Sequence, residues 1–301
     1  MKKFLVTRFL LIVVGFSFSS FGLANDVQKQ ADGPQPDLNA TLRQQKLAFL
    51  KTLARTPDAT TDCSFTFSSG SNNNSLEYCV TANGNISEFQ MPIGHPLISV
   101  QDRAEGYAIC DVTNGDPQGN GRVAYSDFAF FGDSANWNPP TVLSRNATSV
   151  KIARTTSDGI WTLTQTFTQQ TSPAAVKIGM VLKNNTAAAR EAFLLRWADV
   201  DADGIVQNNF DGTAGAAFGW NSITSGAAAP VGLLLENTGT LNGFGSEGFI
   251  QNSFVPPNPC NPGLNIAPST VLSTDGSVVL LYDIRLTSRG SKSVTLTYKG
   301  L

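Results

Sequence analysis

Three carboxylates fall within five positions at Asp199, Asp201 and Asp203, with Gly204 next, in a chain of which 15% of the residues are charged. Short calcium loops are built this way: oxygens at alternate positions converge because a glycine lets the chain turn sharply, and the residue after the glycine adds its backbone carbonyl. The stretch "DVDADGI" therefore predicts a calcium site with Asp199, Asp201, Asp203 and the carbonyl of Ile205 as ligands, helped by Asn208 or Asn209. An EF-hand is excluded. Phe210 stands where the bidentate glutamate belongs, and "FLLRWA" ahead of the loop reads as a strand. The competing reading is an acidic turn without metal, since Asp bonds its own backbone and Gly accepts positive φ. Against it, three carboxylates so close repel one another unless they are solvated or neutralised.

Other residues offer weaker chemistry. His95, the one histidine, precedes Pro96 in "MPIGHPLIS" and belongs to an extended or turning segment. Oriented by a carboxylate such as Glu105 it would act as a general acid or base; without one it is a surface or packing residue. No Gly-x-Ser-x-Gly elbow is present, and a serine triad would need the same imidazole. A glycosidase or lyase needs only two acids at a suitable separation, and Glu88, Glu105, Asp111, Asp127, Glu247 and Asp283 are candidates. Trp137, among the loop residues of "SANWNPPT", would stack on a ligand such as a sugar if exposed, or anchor its loop if not.

Compartment and staples follow from the chain start and the cysteines. Lys2, Lys3 and Arg8 flank the apolar run "FLLIVVGF", which gives way to "SFSSFGLA"; residues 1–24 read as an export signal of bacterial type, too short in its apolar core for a membrane span. Without its three basic residues the chain keeps 18 basic and 23 acidic ones, a net charge of −5, which makes nucleic acid an unlikely partner. Cys63, Cys79, Cys110 and Cys260 all lie in the exported part, so disulfides are expected. Three pairings are open. The favoured one joins Cys63 to Cys79 across a short hairpin, "CSFTFSSGSNNNSLEYC", and Cys110 to Cys260 as a long-range clamp. Structural zinc is disfavoured because no two of these cysteines are within four residues of each other.

The elements that position these residues show in the spacing. Residues 25–36 are a polar, proline-bearing leader. Over 37–56 Asp37 can cap a helix in which Leu38, Leu42, Phe49, Leu50 and Leu53 recur at helical spacing, and Lys46 interrupts the stripe in the manner of a snorkelling side chain. Residues 57–301 form a single domain in which the period is two. Trp161, Leu163 and Phe167 share one face against four threonines, and Val176, Ile178, Met180 and Leu182 share the next. Val278, Leu280, Tyr282 and Ile284, then Val294, Leu296 and Tyr298, predict a closing hairpin around "SRGSK". Many strands with turn clusters between them predict an all-β fold: a large antiparallel two-sheet sandwich with one N-terminal amphipathic helix.

The order "GNISEFQMPIG", "EGYAIC", "DGIWTLTQTFT", "VKIGMVLKNNT", "LLRWADVDADG" and "VLLYDIRLTSRGSKSVTLTYKG" resembles the secreted β-sandwich domains of bacterial surface proteins and, more loosely, the galactose-mutarotase-like supersandwich. The resemblance covers most of residues 80–301. Such folds host epimerases, lyase domains and binding modules alike, so fold does not settle function. Mutarotase-type enzymes use histidine beside a carboxylate base, and a chain with one histidine departs from that pattern. The sequence thus predicts a periplasmic or extracellular, non-catalytic binding or surface-structural protein, with glycan as the ligand considered and calcium as a stabiliser. The alternative is a carbohydrate-active enzyme on a supersandwich.

Overall fold

The computed structural model describes residues 38–52, 62–99, 104–116, 119–221, 231–240, 246–251, 253–261, 266–267 and 270–300. The expected export signal, the leader and both ends of the helix expected over 37–56 lie outside these residues. Among the described residues the chain is all-β apart from one α-helix and two single 3-10 turns.

Three antiparallel sheets form. The large one has nine strands, in the spatial order Thr270–Thr274, Asn208–Thr213, Ala216–Asn221, Gly232–Asn237, Ser291–Gly300, Ala174–Asn184, Trp161–Thr171, Ser149–Thr155 and Thr141–Arg145. The second has seven, in the order Ile266–Ala267, Ser246–Gln251, Ser277–Leu286, Arg190–Asp199, Glu105–Asp111, Val123–Phe128 and Gly132–Asp133. A small sheet joins Phe65–Ser69, Leu76–Val80 and Ile86–Gln90.

Alternation sets the inward faces. Trp161, Leu163 and Phe167 are buried, and so are Val176, Ile178, Met180 and Leu182 on the strand paired with them, while Lys177 and Lys183 face out. These residues meet Leu194, Ala198, Leu280 and Tyr282 of the second sheet in one continuous core. The outer face of the second sheet is covered as well. There Trp197 packs with Leu195, Ala108 and Val279, and Phe128 and Phe131 meet its ring edge to face. A strand buried on both faces reads as a nearly unbroken apolar run, as in "AFLLRWA".

The closing hairpin expected from the sequence does not form. Ser277–Leu286 pairs with Arg190–Asp199 and Ser246–Gln251 in the second sheet, whereas Ser291–Gly300 pairs with Ala174–Asn184 and Gly232–Asn237 in the large one. Both strands present apolar residues to the same interior from opposite sides, so their periodicity matches that of a hairpin although residues 287–290 cross between sheets.

Both favoured disulfides are present, Cys63–Cys79 and Cys110–Cys260. The first pins the start of the small sheet to its central strand. The second ties Glu105–Asp111 to the loop at Cys260, whose carbonyl also accepts a hydrogen bond from Arg122 Nη1 at 2.8 Å.

Helix α1 spans Leu38–Thr52. Leu50 is buried, and Phe49 meets Phe254 edge to face at 5.4 Å between centroids. Lys46 does not snorkel. Its side chain is 1% exposed and points into the sandwich, because a charged partner set waits there. Arg43 donates from Nε to the carbonyl of Gly204 at 2.7 Å, and Asn39 Oδ1 accepts from the Val206 N–H at 3.1 Å, fixing the helix over the 201–206 turn.

Candidate functional site

The acidic loop closes around a lysine ammonium. Asp199 ends a strand of the second sheet, and Lys46 Nζ lies 2.6 Å from its Oδ2. The same nitrogen is 3.2 Å from both oxygens of Asp201 and 3.2 Å from Asp275 Oδ1, which arrives from the turn before Ser277. Asp199, Asp201 and Asp275 bring their ligand atoms within 4.8 Å of one another, a grouping that could hold a metal ion. Two members of the expected set lie elsewhere. Asp203 takes a left-handed conformation, φ 60°, and its carboxylate meets His95 Nδ1 at 2.7 Å. The carbonyl of Ile205 accepts from Asn208 Nδ2 at 2.6 Å, and Asn209 Oδ1 accepts from the Ser273 N–H. The loop closes on its own amides, and Asp275 takes the place of Asp203. Gly204 completes the reversal at φ +67°, where an added Cβ would come within 2.6 Å of Arg43 Nη2.

His95 and Glu105 are not brought together as an acid–base pair. Glu105 is fully buried between the sheets. Its carboxylate accepts from both Nε and Nη2 of Arg196, from Tyr298 Oη at 2.8 Å and from the Ile86 N–H at 2.6 Å. Arg196 reaches on to Gln165 Oε1 of the large sheet at 2.6 Å and lies over the Phe167 ring. Burial pushes the Glu105 carboxyl above the ordinary carboxylate range, and attraction to Arg196 does not cancel that rise.

A second guanidinium bridges the sheets in the opposite sense. Arg154, from the large sheet, donates to Asp127 Oδ2 through Nη1 and to Asp133 Oδ2 through Nη2 at 2.9 Å, both on the second sheet. Asn83 Nδ2 adds a bond to Asp127 at 2.9 Å. Burial raises the Asp127 carboxyl to about 6 against the pull of Arg154, and Asp133 adds repulsion. This cluster lies at the base of a cleft of about 380 Å³ lined by Ala82, Asn83, Asp133, Trp137, Pro139, Pro140 and Arg154. Trp137 is a buried anchor, 8% exposed; its indole N–H donates to the Ser126 carbonyl, Tyr107 and Tyr125 meet its ring edge to face, and Arg154 covers it.

The remaining acids are dispersed. Asp111 is held within the second sheet by Arg190 at 2.6 Å and across to the large sheet by the Trp161 indole N–H at 3.1 Å. Asp283, near Arg285 at the surface, has its carboxyl raised by partial burial and by Glu191. Glu88 is on the small sheet, and Glu247 is on a strand of the second sheet.

Asp275, Arg154, Arg196 and Asp133 are residues that spacing alone did not single out, and Lys46 stood out only as an interruption of the helix stripe. A signal was there: Arg196 has the parity of Leu194 and Ala198, Arg154 that of Val150 and Ile152, and Gln165 that of Leu163 and Phe167. A charged or amide side chain at an inward position must have a buried partner.

No family model matches the sequence, and no curated protein matches it. Among solved structures the chain is similar to a bacterial glucoamylase solved with acarbose, at 12% identity and a TM-score of 0.52 over 82% of this chain and 34% of that one. The chain thus spans about a third of that structure. A candidate aldose 1-epimerase of Escherichia coli K12 (9% identity, TM-score 0.40) is similar over 79% of this chain and 99% of its own. A galactose mutarotase-like protein of Lactobacillus casei ATCC 334 (10% identity, TM-score 0.43) is similar over 79% and 100%. At 12% identity the likeness to the glucoamylase is one of fold alone.

Proposed function

We propose that this protein is an exported, non-catalytic module that binds a neutral glycan in the cleft above Trp137. One observation carries the reading: the buried carboxylates described above are each held by a guanidinium or an ammonium. A glycosidase or lyase needs one acid free to give a proton and a second free to take one or attack. Here Glu105, Asp111, Asp127 and Asp133 instead tie the sheets together. The cleft beside Arg154 has the volume of a small-ligand site, about 300–1,000 Å³, and offers amide, carboxylate, proline and indole surface to hydroxyl-rich rings. Its one lining carboxylate, Asp133, is paired with its one guanidinium, Arg154, and a site with no spare charge favours a neutral over an acidic glycan.

Two disulfides suit an oxidising compartment, and no helix among the described residues is long and apolar enough to cross a membrane. Export predicts that the cell-derived protein lacks its first 24 residues, checked by its N-terminal sequence.

Calorimetric titration of the oxidised protein with neutral and acidic oligosaccharides tests the binding role. Neutral sugars are expected to bind, and Pro139→Arg, which places a long side chain at the mouth of the cleft, is expected to abolish binding without lowering the melting midpoint. Turnover of any oligosaccharide in the same samples would favour the carbohydrate-active enzyme instead. Binding that survives Pro139→Arg would move the site elsewhere.

A further inference from the structure

An ammonium pressed against a carboxylate in a dry site is an ion pair, and it is also the reactant pair of an amide. Lys46 Nζ is 2.6 Å from Asp199 Oδ2, with Cγ one bond beyond, and the two side chains are 1% and 0% exposed. Asp201, equally buried, holds the same nitrogen with both oxygens at 3.2 Å. The Phe254 ring closes another side, its centroid 4.9 Å from Nζ. We propose that Lys46 and Asp199 condense into an intramolecular isopeptide bond, with Asp201 relaying the proton.

Asp201 accepts a proton from the ammonium, and the freed amine attacks Asp199 Cγ. As the N–C bond forms, a C–O bond breaks. The departing oxygen leaves as water with two of the three ammonium protons, one of them returned through Asp201, and the product is a neutral secondary amide. Atoms and charge balance without an oxidant or cofactor, and Asp201 ends as it began. Holding the reacting groups in contact supplies the orientation whose absence makes such a condensation slow in solution. Asp275, the third carboxylate, is 22% exposed and opens on a cleft of about 430 Å³ lined by Leu42, Gln45, Phe49, Val206 and Phe254, through which the water leaves. Asp199 is the electrophile because it is nearest to Nζ and wholly buried, whereas Asp275 is 3.2 Å away and 22% exposed.

The intact mass of the full-length folded protein, measured after reduction and denaturation and corrected for any N-terminal cleavage seen in the same spectrum, tests this. The expected mass is that of the sequence less one water, with a digest yielding a branched peptide that joins Lys46 to Asp199. Lys46→Met restores the full mass, Asp201→Ala slows the loss, and the isosteric Asp199→Asn loses ammonia in place of water. Circular dichroism of the same samples reports folding. A folded wild-type protein at its full sequence mass overturns the proposal, as does a branch mapped to Asp201 or Asp275. Condensation at the wild-type rate in Asp201→Ala removes the relay.

Discussion

At the scale of single residues, the molecule uses cations where its sequence suggests acid chemistry. Lys46 neutralises a cage of three aspartates, and removing one partner of a buried charge cluster is costly because the others are left uncompensated. Lys46→Met should therefore lower stability by about 3–5 kcal/mol, read from urea midpoints. Calcium should restore part of the loss in that variant, because the three aspartates left there can ligate a cation. Asp127 gives a second prediction. Its folded pKa of about 6 lies above the unfolded value of about 3.9, so the folded state binds the proton more tightly. Its contribution to stability is greatest below pH 4 and is lost as the pH rises to 6. The stability difference between wild type and Asp127→Asn should fall across that window in denaturant titrations at stepped pH.

Helix α1 and the 201–206 turn illustrate what was legible at the scale of elements. Helical spacing marked α1, and period-two alternation marked the Trp161–Thr171 and Ala174–Asn184 strands with their inward residues. The charged contacts between elements were not legible, because a lysine in an apolar stripe has two solutions, snorkelling outward or pairing inward, and its third aspartate lies 229 positions away. Likewise, Glu105 and Arg196 are 91 residues apart, and only their shared inward parity hints that they meet. The expected Asp199–Asp201–Asp203 ligand set was upset by two successive left-handed residues, Asp203 and Gly204, which send the third carboxylate toward His95. Gly204→Ala should cost about 1–3 kcal/mol in a thermal or urea melt, since it strains that turn and crowds Arg43.

For the whole molecule, stability is distributed between two covalent loops of very different size. The paired cysteines are 16 and 150 positions apart, and the chain-entropy account gives about 3 kcal/mol for a loop like the first and about 5 kcal/mol for one like the second. Replacing Cys110 and Cys260 together by serine should therefore lower the urea midpoint more than replacing Cys63 and Cys79. The crossing at residues 287–290 has a consequence for how the protein is made. Ser291–Gly300 fills the gap between Gly232–Asn237 and Ala174–Asn184, near the middle of the large sheet. The four strands on one side and the four on the other have no shared edge until that segment, the last of the nine in chain order, leaves the ribosome. A growing chain can close local hairpins but must hold its two halves open, so folding waits on the delivery of a keystone that comes last among the strands of its sheet.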